Sequence, residues 1–178
     1  GQVVESFTQP IDPSRDRIAI DGKQVENKAP GMIYLLLNKP MGIVTTTSDE
    51  RHSKTVIDIL PKELRHLRLY PVGRLDKDST GIILLTNDGD FTYRLTHPKF
   101  EREKEYLVSI KGTLTATQQA ELESGTDLED GITSPAKVRV VNSPPFNYAI
   151  TIHEGKNRQV RRMFASIGFQ VMELKRIR

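Results

Sequence analysis

The apolar segments of this chain are all short, and proline or glycine follows most of them closely. Residues 32–38 and 82–86 have the composition and length of buried strands. Neither segment is long enough to cross a bilayer. Helical and strand patterns follow one another without regular alternation. This order favours an α+β domain with a mixed, mostly antiparallel sheet over a doubly wound parallel one.

The chain length and the absence of cysteine exclude several classes of protein. A chain of 178 residues suits one domain with a short appendage, and it can build a core without disulfides. Zero cysteines exclude disulfide frameworks, cysteine zinc sites, iron–sulfur clusters and thiol nucleophiles. No signal-peptide pattern opens the chain, so we expect a cytoplasmic protein. The histidines are scattered, which argues against a histidine-rich metal site: His52, His66, His97 and His153.

The first thirty residues differ from the rest and resemble the end of a small module. Residues 3–7 have a strand pattern, which two following prolines interrupt. Residues 17–25 predict a hairpin that turns at Asp21-Gly22. Residues 26–31 are the predicted linker to the main domain.

Capping patterns and apolar spacing predict the elements of the main domain. Asp88 is positioned to cap one helix, and Thr115 with Gln118 forms a capping box for another. A third helix has Val160 and Phe164 on its apolar stripe, with basic residues on the opposite side. The predicted helices span residues 54–60, 88–95, 115–123 and 157–167, and further strands span residues 105–111, 137–141, 148–153 and 169–178.

The positive charge of the chain is concentrated near its end. The formal net charge is only +3, but residues 156–178 hold seven basic residues and a single acidic one, Glu173. The rest of the chain is therefore slightly acidic. Such a segment suits a face that binds a polyanion, most simply a nucleic acid. On charge alone, a solvated helix face with an exposed strand is an equally good interpretation.

Two aspartates lie in a polar loop, residues 73–81, directly before a predicted buried strand. The spacing of Asp76, Asp78 and Thr80 resembles a calcium loop, but Asn87 stands where the last acidic ligand belongs, so we exclude calcium. The same spacing occurs at the nucleophile of haloacid-dehalogenase-type phosphatases, where the hydrophobic strand precedes the motif instead of following it. Turn and capping roles for both aspartates remain an alternative.

Two further segments carry candidate functional side chains. Lys104-Glu105-Tyr106 begins a strand, where a tyrosine is more often a packing residue than a catalytic one. Residues 154–163 form a strand-to-helix junction rich in arginine. Arginines at such a junction can bind phosphate or form an ion pair with an aspartate. A solvated basic face is the alternative interpretation.

In this order and spacing, the three segments resemble the RsuA/RluB/RluE/RluF family of ribosomal RNA pseudouridine synthases. The resemblance extends from about Tyr34 to Arg178 and includes the Asn38-Lys39-Pro40-x-Gly42 turn. Residues 157–163 are more similar to the RluB and RluE branches, which act on large-subunit RNA, than to the small-subunit enzyme. The resemblance implies the pseudouridine synthase fold, with helices and loops flanking the sheet.

The resemblance also implies a domain organisation. A small S4 RNA-binding domain commonly precedes the catalytic domain in this family. We therefore expect residues 1–30 to be the C-terminal remnant of an S4-like domain with its linker, and residues 31–178 to be the catalytic domain. The family's sheet usually continues after the Lys-Arg-Ile-Arg strand, so we expect its last strand to be absent here.

The implied reaction isomerises a uridine of ribosomal RNA to pseudouridine, with 23S RNA as the expected substrate. It needs no cofactor and no metal. A carboxylate suits the reaction, because the sugar becomes electron-poor as its bond to the base breaks. By resemblance, Asp76 is the essential group, Tyr106 stacks on the uracil, and Arg161 is the arginine that stabilises the ionised carboxylate. The predicted RNA-binding residues are Lys39, Arg74, Lys156, Asn157, Arg158, Arg162 and Leu174.

The implied partner is ribosomal RNA or a ribosomal subunit assembly intermediate, bound by a monomer away from any membrane. Two other classes of function remain as alternatives. One is a non-catalytic RNA-binding or ribosome-assembly protein with the same fold, which the presence of Asp76, Tyr106 and Arg161 disfavours. The other is the phosphatase, which would require magnesium.

Overall fold

A computed structural model describes residues 3–4, 6, 8–12, 15–25, 31–48 and 53–178. The chain divides into two compact units, Gly1–Gly31 and Met32–Arg178. In the part of the chain that is described, no helix has the length and apolar character needed to span a membrane.

The first unit contains the predicted hairpin. Strands β1 (Ala19–Ile20) and β2 (Lys23–Gln24) pair antiparallel. Asp21 and Gly22 both have positive φ values, of 50° and 75°, as a tight two-residue hairpin turn requires. The prediction of this hairpin is confirmed. Of the predicted strand over residues 3–7, the described residues are not in a strand, and residues 5, 7 and most of the predicted linker, residues 26–30, lie outside the described part.

The second unit combines one sheet with four α-helices. The strands are β3 (Tyr34–Lys39), β4 (Tyr70–Pro71), β5 (Thr80–Thr86), β6 (Lys104–Ile110), β7 (Lys137–Ser143), β8 (Phe146–Ile152) and β9 (Val171–Arg176). The helices are α1 (Lys62–Arg65), α2 (Gly89–Thr96), α3 (Ala116–Ser124) and α4 (Gln159–Ser166), and a 3-10 turn (Pro98–Phe100) follows α2.

The seven-stranded sheet has the order β3-β5-β9-β6-β8-β7, with β4 also paired to β5. The pair β5–β9 is parallel, and the other pairs of this sheet are antiparallel. The predicted α+β class with a mixed, mostly antiparallel sheet is confirmed. In this register Arg176 of β9 lies opposite Gly81 on one side and Tyr106 on the other. The start of β5 is thereby brought close to the start of β6.

Capping signals correctly predicted two of the helices, and the spacing of apolar residues correctly predicted a third. The Asp88 side chain accepts a hydrogen bond from the Phe91 amide at 2.9 Å and begins α2. Thr115 and Gln118 form the predicted capping box of α3. On α4, the predicted apolar stripe is buried: Val160, Met163, Phe164 and, just beyond the helix, Ile167.

The helix predicted over residues 54–60 is wrong. These residues form turns, and the short helix α1 begins only after Pro61. The Asp58 carboxylate accepts hydrogen bonds from the Thr55 amide at 2.8 Å and from the Thr55 hydroxyl at 2.9 Å. Such local side-chain bonds compete with helical ones, and β-branched residues further disfavour the helix.

The prediction of a buried strand over residues 32–38 needs a correction as well. Strand β3 lies at one end of the sheet order and is buried on only one face. Tyr34 and Leu36 point away from the core and are 50% and 67% exposed. Exposed and more buried residues therefore alternate along this strand, and the sequence did not show this because both faces carry apolar residues.

Candidate active site

The loop between β4 and β5 carries Asp76 and borders a cleft of about 770 Å³. Most of the predicted site residues line this cleft although they come from distant parts of the chain. Those that line it are Arg74, Asp76, Tyr106, Lys156, Asn157, Arg158 and Leu174, whereas Lys39, Arg161 and Arg162 do not.

Hydrogen bonds from the preceding turn hold the Asp76 loop on both sides. The Thr45 hydroxyl donates to the Leu75 carbonyl at 2.7 Å and accepts from the Leu75 amide at 3.2 Å. The Gly42 amide donates to the Lys77 carbonyl at 2.8 Å. The backbone on either side of Asp76 is therefore fixed, which positions the carboxylate at the cleft wall with a 28% exposed side chain.

Arg158 is the arginine closest to both loop aspartates. Its two terminal nitrogens each donate to one oxygen of Asp78 at 2.9 Å. Its Nη1 also lies 3.9 Å from Oδ2 of Asp76. The hydrogen bonds from Arg158 lower the pKa of Asp78, and the charge of Arg161 adds to this effect. Arg158 thus supplies positive charge to the Asp76 side of the cleft.

Arg161 contacts Asp78 of the loop, whereas we expected it to pair with Asp76. Its guanidinium donates to the backbone carbonyls of Asp78 at 2.8 Å and Val171 at 3.0 Å. Its Nε lies 3.4 Å from Oδ2 of Asp78, and its side chain is only 13% exposed. Arg161 therefore connects the loop, α4 and β9, and its contacts are those of a residue that positions the loop.

Lys39 is buried, so the structure contradicts its prediction as a phosphate contact. Its side chain is 0% exposed, and Nζ donates to the carbonyls of Pro40 at 3.0 Å and Ile43 at 2.9 Å. Nζ also reaches the Lys77 carbonyl at 3.5 Å. Burial lowers the pKa of Lys39, while Asp78 and Asp76 oppose this effect. The Lys39 side chain therefore connects the turn at residues 40–43 to the Asp76 loop, and it does not face solvent.

Arg162 and Lys156 are engaged with the loop before β7. Arg162 makes a bidentate contact with the Asp130 carboxylate at 2.9 Å, and it does not line the cleft. Nζ of Lys156 donates to three backbone carbonyls, of which Gly131 at 2.6 Å is nearest. The predicted RNA-binding role of Arg162 therefore finds no support in its position. Lys156 keeps its place at the cleft but already has three acceptors.

Tyr106 presents only a small part of its ring to the cleft. It is 9% exposed, and Arg176 lies opposite it in the pairing of β6 with β9. Burial raises the pKa of Tyr106, and Arg176 offsets part of this rise. The phenol therefore stays protonated at neutral pH. Leu174, 6% exposed, also contributes to the cleft wall and belongs equally to the core.

The cleft-lining residues that were not predicted as site residues include two buried or half-buried cations, Arg176 and Lys104. Arg176 donates through Nε to the Ile82 carbonyl at 2.8 Å and reaches Tyr106. Lys104 donates to the carbonyls of His153 at 3.3 Å and Glu154 at 3.4 Å. Burial lowers the pKa of Lys104, and Arg176 adds to the lowering. Strand alternation places Lys104 on the same face as Tyr106, a usable sequence signal, whereas the position of Arg176 depends on strand pairing.

The cleft combines a fixed carboxylate, neighbouring positive charge and apolar walls. A carboxylate of this kind can stabilise an electron-poor sugar or add to it. In the described residues, no group of three or more histidine, aspartate or glutamate side chains is arranged to hold a metal ion.

Comparisons with known proteins show which family the chain is similar to. The family model described as RNA pseudouridylate synthase matches residues 33–166. Ribosomal large subunit pseudouridine synthase B of Bacillus subtilis is 42% identical over 180 residues, which cover 99% of this chain and 72% of that protein. Ribosomal small subunit pseudouridine synthase A of Yersinia pestis is 37% identical over 180 residues, which cover 100% of this chain and 74% of that protein.

A solved structure shows the same fold. The crystal structure of a pseudouridylate synthase superposes with a TM-score of 0.76 at 34% sequence identity. The match covers 100% of this chain and 75% of that one. Fold, family model and whole-chain identity all agree, and the resemblance found in the sequence is confirmed. The chain belongs to the RsuA/RluB family of pseudouridine synthases.

Proposed function

We propose that this chain isomerises a specific uridine of 23S ribosomal RNA to pseudouridine, with Asp76 as the essential catalytic group. The observation that carries the proposal is the position of Asp76, held at the wall of the cleft by bonds to both neighbouring residues. The higher identity to the large-subunit enzyme, 42% against 37% for the small-subunit enzyme, supports 23S RNA as the substrate.

The reaction breaks the bond between N1 of uracil and C1′ of ribose and forms a bond between C5 and C1′. The proton on C5 leaves, and N1 of the rotated base gains one, so no oxidant or energy source is required. Asp76 serves this reaction by adding to the sugar, by adding to the base or by removing the C2′ proton. Each role requires an ionised carboxylate, which the Arg158 guanidinium 3.9 Å away favours.

Tyr106 and Leu174 form the surface against which the target uracil packs. The Tyr106 phenol is protonated at neutral pH, because burial raises its pKa further above the ordinary value of about 10, and its hydroxyl acts as a hydrogen-bond donor. The part of its ring that lines the cleft supplies the packing contact. Extruding a base from folded RNA exposes it to such a contact and requires the flanking phosphates to be held.

The phosphates flanking the target are held by residues at the cleft mouth. Arg74 and Arg158 are both exposed, and Arg74 has no hydrogen-bond or ion-pair partner among the described residues. Asn157, next to Arg158, adds a neutral donor. We further propose that the chain works as a cytoplasmic monomer on ribosomal RNA or on an assembly intermediate of the subunit. It needs no cofactor for this chemistry.

Release of tritium from RNA labelled at uridine C5 tests the proposal, because the reaction expels the C5 hydrogen. The full chain is incubated with separate 23S and 16S transcripts, and the modified position is then mapped. We expect release from 23S RNA and modification at a single site. Release from neither RNA contradicts the proposed reaction, and release from 16S RNA alone contradicts the proposed substrate.

A further inference from the structure

A cluster of aromatic and basic side chains follows the C-terminal half of α2 and is not part of the proposed mechanism. It consists of Tyr93, His97, Phe100, Lys99 and Arg102, and we refer to it as the aromatic–cation cluster. Its backbone comes from α2 and the 3-10 turn that follows. The cluster is therefore one local, continuous piece of surface.

The three rings contact one another. The centroids of Tyr93 and His97 are 4.7 Å apart, and those of Tyr93 and Phe100 are 5.9 Å apart with nearly perpendicular planes. Nζ of Lys99 lies over both neighbouring rings, 4.9 Å from Tyr93 and 4.8 Å from Phe100. The guanidinium of Arg102 lies 5.7 Å from the Phe100 centroid. Positive charge is thus held directly at an aromatic surface.

Most of this surface is open to solvent. Tyr93 is 47% exposed, and His97 and Lys99 are exposed as well. A cluster that served only to pack α2 would bury its largest rings. Between residues 93 and 102 the chain carries Arg94, Lys99 and Arg102 but one acidic residue, so the surface is positively charged.

The aromatic–cation cluster adjoins the cleft that contains Asp76. Arg102 and Pro98 line the cleft together with Arg74 and Asp76. The end of α2 also approaches the Asp76 loop, since a Cβ at Gly73 would lie 3.7 Å from a methyl carbon of Thr96. A strand of RNA that places its target in the cleft has the cluster within reach of its neighbouring nucleotides.

We propose that the aromatic–cation cluster binds an unpaired nucleotide of the RNA substrate close to the target uridine. The base stacks on the exposed part of the Tyr93 ring, and Lys99 and Arg102 contact the adjoining phosphates. Aromatic faces next to basic side chains are how proteins hold single-stranded nucleic acid without reading its sequence. An acidic protein partner would pair with the positive charges but would not require the exposed aromatic ring. This inference rests on the proposed function, because it requires RNA in the cleft.

Filter binding of a 23S RNA transcript over a range of salt concentrations tests the inference. We expect Tyr93→Ala and Tyr93→Leu to weaken binding by about 5- to 100-fold, the loss of one base stack, while Tyr93→Phe binds like the wild type. None of the three Tyr93 variants changes the charge, so none should alter the salt dependence of RNA binding. Lys99→Gln should lower the log–log slope by about 0.7–0.9. Val140→Ala, at a 70% exposed position of β7, is the control and should bind like the wild type.

Wild-type affinity in both Tyr93→Ala and Tyr93→Leu would overturn the inference, as would an equal loss in Tyr93→Phe. Tyr93→Leu keeps an apolar side chain against Phe100, so a loss in this variant does not arise from unfolding of the cluster. Tritium release by the wild type on the same transcript separates the two proposals. Release together with unaffected Tyr93 variants overturns the cluster alone, whereas the absence of release overturns the proposed function.

Discussion

Arg158 donates two hydrogen bonds of 2.9 Å to the Asp78 carboxylate, and the same guanidinium lies 3.9 Å from the Asp76 carboxylate. Asp78 therefore holds the guanidinium that lies next to the Asp76 carboxylate. The second aspartate of the loop has a supporting role that its position in the motif does not reveal. We therefore expect the position of the positive charge beside Asp76 to depend on Asp78.

The ion pair of Asp78 predicts a pH dependence of stability. Arg158 and Arg161 lower the pKa of Asp78 in the folded state. A lowered carboxyl pKa stabilises the fold above the unfolded-state value of about 4, and this contribution disappears as the pH falls further. We expect Asp78→Asn to reduce the thermal midpoint at pH 7, and we expect its difference from the wild type to shrink as the pH falls below about 4, the ordinary aspartate value. Asp127→Asn, at an exposed position outside the cleft, is the matched control. A difference that stays constant as the pH falls would contradict the assignment.

Gly81 is predicted to be indispensable for the β5–β9 pairing. A Cβ at this position would lie 2.1 Å from the Arg176 carbonyl oxygen and 2.6 Å from its amide nitrogen. We expect Gly81→Ala to lower the free energy of unfolding in urea by more than about 3 kcal/mol. Gly168→Ala shares the positive φ but meets nothing within 4 Å, so it should cost about 1–2 kcal/mol. Equal losses in the two variants would show that the close approach is unimportant.

Lys39 and Arg74 should separate folding from RNA binding. Lys39→Met leaves the Pro40 and Ile43 carbonyls without their donor, and we expect a loss of about 1–3 kcal/mol in unfolding free energy. The salt dependence of RNA binding should stay unchanged. Arg74→Gln should do the reverse, with wild-type stability and a log–log slope reduced by about 0.7–0.9. A reduced slope in Lys39→Met would return this lysine to the RNA interface.

Tyr106 is expected to act through both its ring and its hydroxyl. Tyr106→Phe keeps the ring but removes the hydroxyl, so kcat should fall while KM changes little. Tyr106→Leu loses the ring and should raise KM as well. Single-turnover kinetics on 23S RNA distinguish the two effects. If Tyr106→Phe retains full kcat, the hydroxyl has no part in the reaction.

Local chemistry explains which parts of the fold could be predicted. The Asp21-Gly22 turn and the caps at Asp88 and Thr115 depend on residues within a few positions of one another, and all three are confirmed. The predicted helix at residues 54–60 failed because one side chain, Asp58, offered the backbone other hydrogen bonds. The identification of residues 1–30 as part of an S4-like domain stays a prediction.

The candidate site was harder to predict wherever a side chain turns inward. Lysine and arginine are usually surface residues, yet Lys39 and Arg161 each donate to backbone carbonyls inside the fold. No spacing rule shows which of two arginines on one helical turn faces Asp76. Arg176 reaches Tyr106 only because β9 pairs with β6, which is a property of the whole sheet.

The most direct test of the account is the dependence of tritium release on Asp76. Wild type, Asp76→Asn and the control Asp127→Asn are compared on the same 23S transcript labelled at uridine C5, after thermal unfolding has shown that all three fold. The account predicts background release from Asp76→Asn and wild-type release from Asp127→Asn, because only Asp76 contributes a carboxylate to the reaction. Wild-type release from Asp76→Asn would contradict it.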